Sequence, residues 1–159
     1  MARRSRGPIE RGRDGFQVRL GDHEAEIVRG LMAELRELLL RGEPADPRLR
    51  RLFPTAYHDD AELDDEYQRL MREELVASRL GAIEVVERAI EGSSLAEHEL
   101  IGFMQSLNAV RLVLGTMLDV SEDSDPDLVP DDDPLAPELN LYHYLGWLLD
   151  AAVRALSAR

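Results

Sequence analysis

The sequence predicts a mainly α fold: a single-domain helical bundle of about four to five helices with a small N-terminal β-hairpin. Three observations predict it. Apolar residues recur at helical spacing along most of the chain. A short stretch near the start alternates instead, and the segments between the periodic stretches are rich in proline and acid without any period. At 159 residues with 44% hydrophobic residues, the chain is long enough to bury one core.

The elements follow in order. "GRDGFQVRL" opens on an Asp14-Gly15 turn signal, then alternates Phe16, Val18 and Leu20 against Gln17 and Arg19. It reads as the second arm of a hairpin whose first arm is Gly7–Arg11. Two strands are marginal by themselves, so the hairpin should pack on its own bundle or pair with a second copy to give a homodimer. Asp22 is placed to cap a first helix that carries Ile27, Val28, Leu31, Met32, Leu35, Leu38 and Leu39, with Gly42 as its stop. The following segment holds Pro44, Pro47 and Pro54 and reads as a loop with one short turn. Asp59 and Asp60 suit the start of a second helix, with Leu63, Tyr67, Leu70, Met71 and Leu75 facing inward. It ends at Gly81 or runs on to Gly92. Ser94 and Glu97 have capping-box spacing and open a third long helix. This helix carries Leu100, Phe103, Met104, Leu107, Val110, Leu114 and Met117 on one face and more apolar residues around it, the pattern of a central helix. A last helix starts near Pro137 and shows Leu141, Tyr144, Leu145, Leu148, Ala152, Val153 and Leu156. Residues 1–8 are expected to form a flexible basic arm, and 121–135 an acidic, proline-rich loop.

Composition excludes several classes of chemistry. The chain has no cysteine, so disulfides, thiolate zinc sites, cysteine nucleophiles and thiol redox sensing are all absent from it. The net charge is −13 and is uneven: residues 1–20 hold six arginines against Glu10 and Asp14, which leaves −17 on the remainder. Duplex phosphate is held by cationic surface, so no specific DNA binding is expected from the chain alone, only weak, salt-sensitive contact through the arm. No apolar run looks long enough to span a bilayer and the arginine-rich start lacks the apolar stretch of a secretory signal, so the expected location is cytoplasmic, with no membrane partner. All 19 basic residues are arginine, which suggests a GC-rich bacterial genome.

Candidate sites fail one after another. His23, His58, His98 and His143 include no pair at the spacing of a helical zinc site. His58 and Asp60 are available to an ion, but acids at that place are better used at a helix N-terminus. A calcium loop through Asp123, Asp125 and Asp127 would put Leu128 where glycine is needed and Pro134 where glutamate is needed. No phosphate-cradling loop, nucleophile elbow or basic recognition helix is present. The expectation is a protein without enzymatic activity, cofactor or metal.

One residue stands out. "LNAVRLVLGTMLDV" sets Arg111 in the middle of the most apolar helix. A buried, unpaired guanidinium is costly, so it should find a carboxylate or carbonyls. Asp59, Asp60 and Glu66, or the backbone of residues 48–57, are the candidate partners. Gly115, one turn on, would let "RLFPTAYHDD" approach closely, with Arg51 opening the block, Phe53 and Tyr57 as apolar cover and Pro54 stiffening the path. On this reading Arg111 clamps the long loop to the central helix.

Three stretches, "DPRLRRLFPTAYHDDAELDDEYQRL", "LNAVRLVLGTMLDV" and "LYHYLGWLLDAAVRAL", carry a resemblance. Together they resemble the actinobacterial domain-of-unknown-function family 2017, also called the AosR-like oxidative-stress regulators. The likeness runs from the Phe16 strand to the C-terminus. It implies a helical, non-enzymatic regulator of transcription in oxidative stress and cysteine supply, working through contact with RNA polymerase or a sigma factor. Genes for a Clp-protease adaptor and a metallopeptidase of cysteine biosynthesis often lie beside family members. The alternative is therefore an interaction adaptor in proteolysis or cysteine metabolism. The lack of cysteine departs from any thiol-based control and leaves only methionine oxidation, on five methionines.

Overall fold

The computed structural model describes residues 7–43, 45–118 and 134–158. Two strands, β1 (Ile9–Gly12) and β2 (Gly15–Val18), pair antiparallel around Arg13 and Asp14, with Ile9 opposite Val18 and Arg11 opposite Phe16. Five helices follow: α1 (Asp22–Arg41), α2 (Pro47–Leu52), α3 (Ala61–Ile90), α4 (Glu97–Leu118) and α5 (Ala136–Ser157). The expected mainly α bundle with a small hairpin is what the chain forms. The expected basic arm and acidic loop lie largely outside the described residues.

The hairpin rests on its own bundle. Ile9, Phe16 and Val18 are buried, and Phe16 exchanges two backbone hydrogen bonds of 2.8 Å with Leu95, just before α4. Gly15 adopts φ 124°, and a Cβ there would lie 2.4 Å from the Leu95 carbonyl oxygen. Only glycine meets both demands. β1 leans on α5, where Arg11 donates to the Leu156 carbonyl at 3.3 Å.

The helix boundaries refine three expectations. Gly21, not Asp22, is the N-cap of α1, and Asp22 lies inside the first turn, where its charge faces the positive end of the dipole. Ser94 does not cap α4; its hydroxyl donates to the Asp14 carbonyl at 2.9 Å. The box is shifted by two residues, with Glu99 Oε1 accepting from the Ala96 amide at 3.1 Å. That bond, and then the one from Arg88, hold the Glu99 carboxyl below the usual carboxylate range. Gly81 does not break α3, which runs for 30 residues because nothing crowds the chain there and the apolar spacing continues through Ile83, Val86 and Ala89.

Central position belongs to α4, which touches α1, α2, α3, α5 and β2. Leu100, Phe103 and Leu107 are fully buried on it, and one contiguous core joins them to Val28 and Met32 of α1, Leu49 of α2, Ile83 and Val86 of α3, and Leu145 and Leu148 of α5. Among the described residues α4 is the one helix long and apolar enough to cross a membrane by length and composition. The expectation that no run reaches that length is thereby corrected; a third of that stretch is buried in the bundle, while Ile101 and Met117 on it stay exposed. Two ion pairs brace the bundle: Arg36 of α1 with Glu87 of α3, and Arg88 of α3 with Glu99 at 2.7 Å.

The first half of α3 departs from expectation. Leu63 is 42% and Leu70 67% exposed, and no residue before Ile83 is fully covered. Among the described residues, no element lies beyond this half for it to pack against, except the segment that leads into it.

Candidate functional site

Arg111 does not reach the acids expected to hold it. Its guanidinium lies over the ring of Tyr142 on α5, 4.6 Å from the ring centroid. Gly115 and Gly146 shape this contact from both sides. A Cβ on Gly115 would lie 3.5 Å from Tyr142 Cε2, and one on Gly146 3.6 Å from Arg111 Nε. At Gly115 a Cβ would meet an ordinary van der Waals contact, so the expected close approach does not depend on glycine there, and the approaching element is α5. Among the described residues no carboxylate lies in ion-pair range of Arg111, and its buried Nε has no hydrogen-bond partner. The clamp to Asp59 or Asp60 is therefore corrected to a cation–π seam between α4 and α5.

The physical reason is that one expected partner is already engaged and the other two face solvent. Asp60 is the N-cap of α3 and accepts from the Leu63 amide at 3.0 Å, while Asp59 and Glu66 are exposed. The block around Phe53 folds back on α3. Asp64 Oδ1 accepts from the amides of Ala56 and Tyr57 at 2.7 and 3.1 Å, and Gln68 Nε2 donates to the Pro54 carbonyl at 3.0 Å. Tyr57 meets Tyr67 edge-on at 5.9 Å, and Arg72 lies over the Phe53 ring. Arg51 is exposed at the end of α2. The guanidinium that holds this segment is Arg79, which donates to the Leu52 carbonyl at 3.3 Å and whose pKa is lowered by burial. Sequence reasoning missed Arg79, although it lies one turn from Val76 and Ile83 on the buried stripe of α3.

A concavity lies elsewhere. A groove of about 930 Å³ opens between α1, the C-terminal half of α4 and the start of α5. Leu31, Leu35 and Leu38 form one wall, and Val110, Val113 and Met117 the other. Two arginines at its margin are already paired: Arg41 with Glu37 at 3.2 Å, and Arg48 with Asp46 at 2.7 Å. The Arg48 hydrogen bonds hold Asp46 below the usual carboxylate range. Glu34 and Glu138 also line the groove, and among the described residues neither pairs with a cation. Glu138 Oε2 is buried and, among the described residues, has no hydrogen-bond partner. No group of three or more His, Asp or Glu side chains among the described residues is placed to hold a metal ion.

Apolar walls with an unpaired acid suit recognition of another chain's side chains better than bond-breaking chemistry. The family model described as Domain of unknown function (DUF2017) matches residues 5–156. The chain belongs to the DUF2017 family. Proteins named oxidative stress regulator AosR, from Mycobacterium bovis and Mycobacterium tuberculosis, are each 27% identical to it, over 91% of this chain and 84% of theirs. A Mycobacterium leprae relative is 30% identical, over 85% of this chain and 67% of its own length. No solved structure matches. For this DUF2017 chain the resemblance seen in "RLFPTAYHDD" and "LNAVRLVLGTMLDV" is thus a true family relation, and a regulatory role in oxidative stress is the role its relatives are named for.

Proposed function

We propose that this protein is a non-enzymatic regulator in the oxidative-stress response that acts on transcription through protein contact, with RNA polymerase or a sigma factor as the partner. The groove between α1 and α4 carries the proposal, because it offers apolar surface to another chain and brings no catalytic group together. The acidic body favours a basic protein surface over nucleic acid, since like charges repel phosphate and opposite charges steer protein encounter. The chain has no thiol, so its response to oxidants does not run through a cysteine of its own.

Co-purification from an actinobacterial lysate tests this reading, with the tagged full chain as bait and a groove-blocked Met117→Arg variant as control. Enrichment of polymerase subunits or a sigma factor by the wild type, lost in the variant, is the expected result. Recovery of a protease or its adaptor in their place would make the protein an adaptor and overturn the transcriptional role.

A further inference from the structure

The groove's chemistry specifies its occupant more narrowly than "a protein", and this inference deepens the reading just given. We infer that the groove between α1 and α4 binds a short amphipathic helix that presents apolar side chains to Val113, Met117 and Leu141 and one lysine or arginine to Glu138.

The dimensions come first. Leu31, Leu35 and Leu38 lie on one face of α1 over two turns, and Val110, Val113 and Met117 match them along α4. Apolar walls of that length accept the i, i+4, i+7 side chains of a third helix, the usual helix-in-groove arrangement. Among the described residues, no side chain of another element fills the space.

Charge comes second. The two cations at the margin, Arg41 and Arg48, are neutralised by Glu37 and Asp46. Among the described residues, what remains without a cationic partner is negative: Glu34 at the rim and Glu138 in the first turn of α5, with Oε2 buried and unpartnered. A buried carboxylate oxygen without a donor is an unmet hydrogen-bonding demand, and a cationic donor from a partner would meet it in a shielded setting, where the bond is strongest. A free fatty acid fits the walls, but its carboxylate would be repelled by the same two glutamates. A basic amphipathic helix satisfies both walls and charge.

The test uses the full chain and a panel of fluorescent peptides about four turns long. Each has leucine at i, i+4 and i+7, with a single lysine moved through the remaining positions, and each has a twin carrying glutamate in its place. Fluorescence anisotropy reads binding. At least one lysine peptide should bind roughly tenfold or more tightly than its glutamate twin, a gap that corresponds to one charge-assisted hydrogen bond. Glu138→Gln, which keeps shape and removes charge, should erase that gap. Met117→Arg should weaken all binding, and because Met117 is 59% exposed the substitution leaves the fold intact, as a melting curve will show. Equal binding of lysine and glutamate twins, or a lysine preference that survives Glu138→Gln, overturns the inference. So does binding that Met117→Arg leaves unchanged. If an apolar dye enters the groove while every peptide fails, the site takes small molecules and the inference falls. Polymerase capture that persists in Met117→Arg while the peptides fail would place regulation on another surface, so the two readings fail separately.

Discussion

Replacing Arg111 by methionine removes the one cationic guanidinium from the middle of the central helix while keeping a long, flexible side chain. The structure sets the magnitude. Lost is the guanidinium's contact with the Tyr142 ring at 4.6 Å, worth about 1 kcal/mol for a half-buried pair. Recovered is the cost of a buried Nε that finds no acceptor, also about 1 kcal/mol because the far end of the guanidinium keeps some solvent. Methionine against Tyr142 regains part of the contact through its sulfur. The net change should stay within about 1 kcal/mol of zero, or about 3 °C in Tm for a chain of this length. A carboxylate clamp predicts a different number, since stranding one partner of a buried pair costs roughly 3–5 kcal/mol. Urea unfolding followed by circular dichroism separates the two. A loss of about 3 kcal/mol or more would refute the cation–π seam and show that Arg111 has an acidic partner after all.

Three further outcomes are expected. Gly15→Ala should cost at least about 2 kcal/mol in urea unfolding, because φ 124° strains an L residue and its Cβ would meet the Leu95 carbonyl oxygen at 2.4 Å; a variant as stable as the wild type would contradict the hairpin's seat. Tyr144 donates its hydroxyl to Glu24 at 3.2 Å, and burial, reinforced by that carboxylate, raises its pKa, so the folded state holds the neutral phenol. The stability this gives is complete below the unfolded tyrosine pKa of about 10 and is lost as pH rises above it, so Tyr144→Phe should flatten the alkaline fall, and an unaltered slope would count against the burial. Met117, at 59% exposure, should be oxidised by mild peroxide well before Met32, which is fully buried; peptide mass spectrometry reads the order, and the reverse order would mean that the groove is closed in solution.

Much of the architecture was legible because helices and strands are local. The spacing of Val28, Leu31, Met32, Leu35 and Leu39 sets the buried face of α1 whatever it packs against, and Phe16 and Val18 had to be covered wherever the hairpin came to rest. The family's blocks were equally readable in "RLFPTAYHDD" and "LNAVRLVLG". Pairing between elements was not. Arg111 had several acids within reach on paper, but Asp60 was claimed by a helix terminus and the Phe53 block by Asp64, Gln68 and Arg79. Leu63 and Leu70 share the spacing of core residues yet lie exposed, because periodicity says which residues share a face and nothing about whether a neighbour exists to cover it. The groove was invisible for the same reason. Leu38, Val113 and Glu138 are 25 or more positions apart in sequence, and only the way α1, α4 and α5 lie together leaves a space between them and strands a carboxylate oxygen beside it. Sequence by itself determined the elements, their apolar faces and the absence of thiol chemistry. Tertiary structure decided which faces meet, because that choice depends on shape and on which polar groups reach a partner first, and neither is written in local spacing.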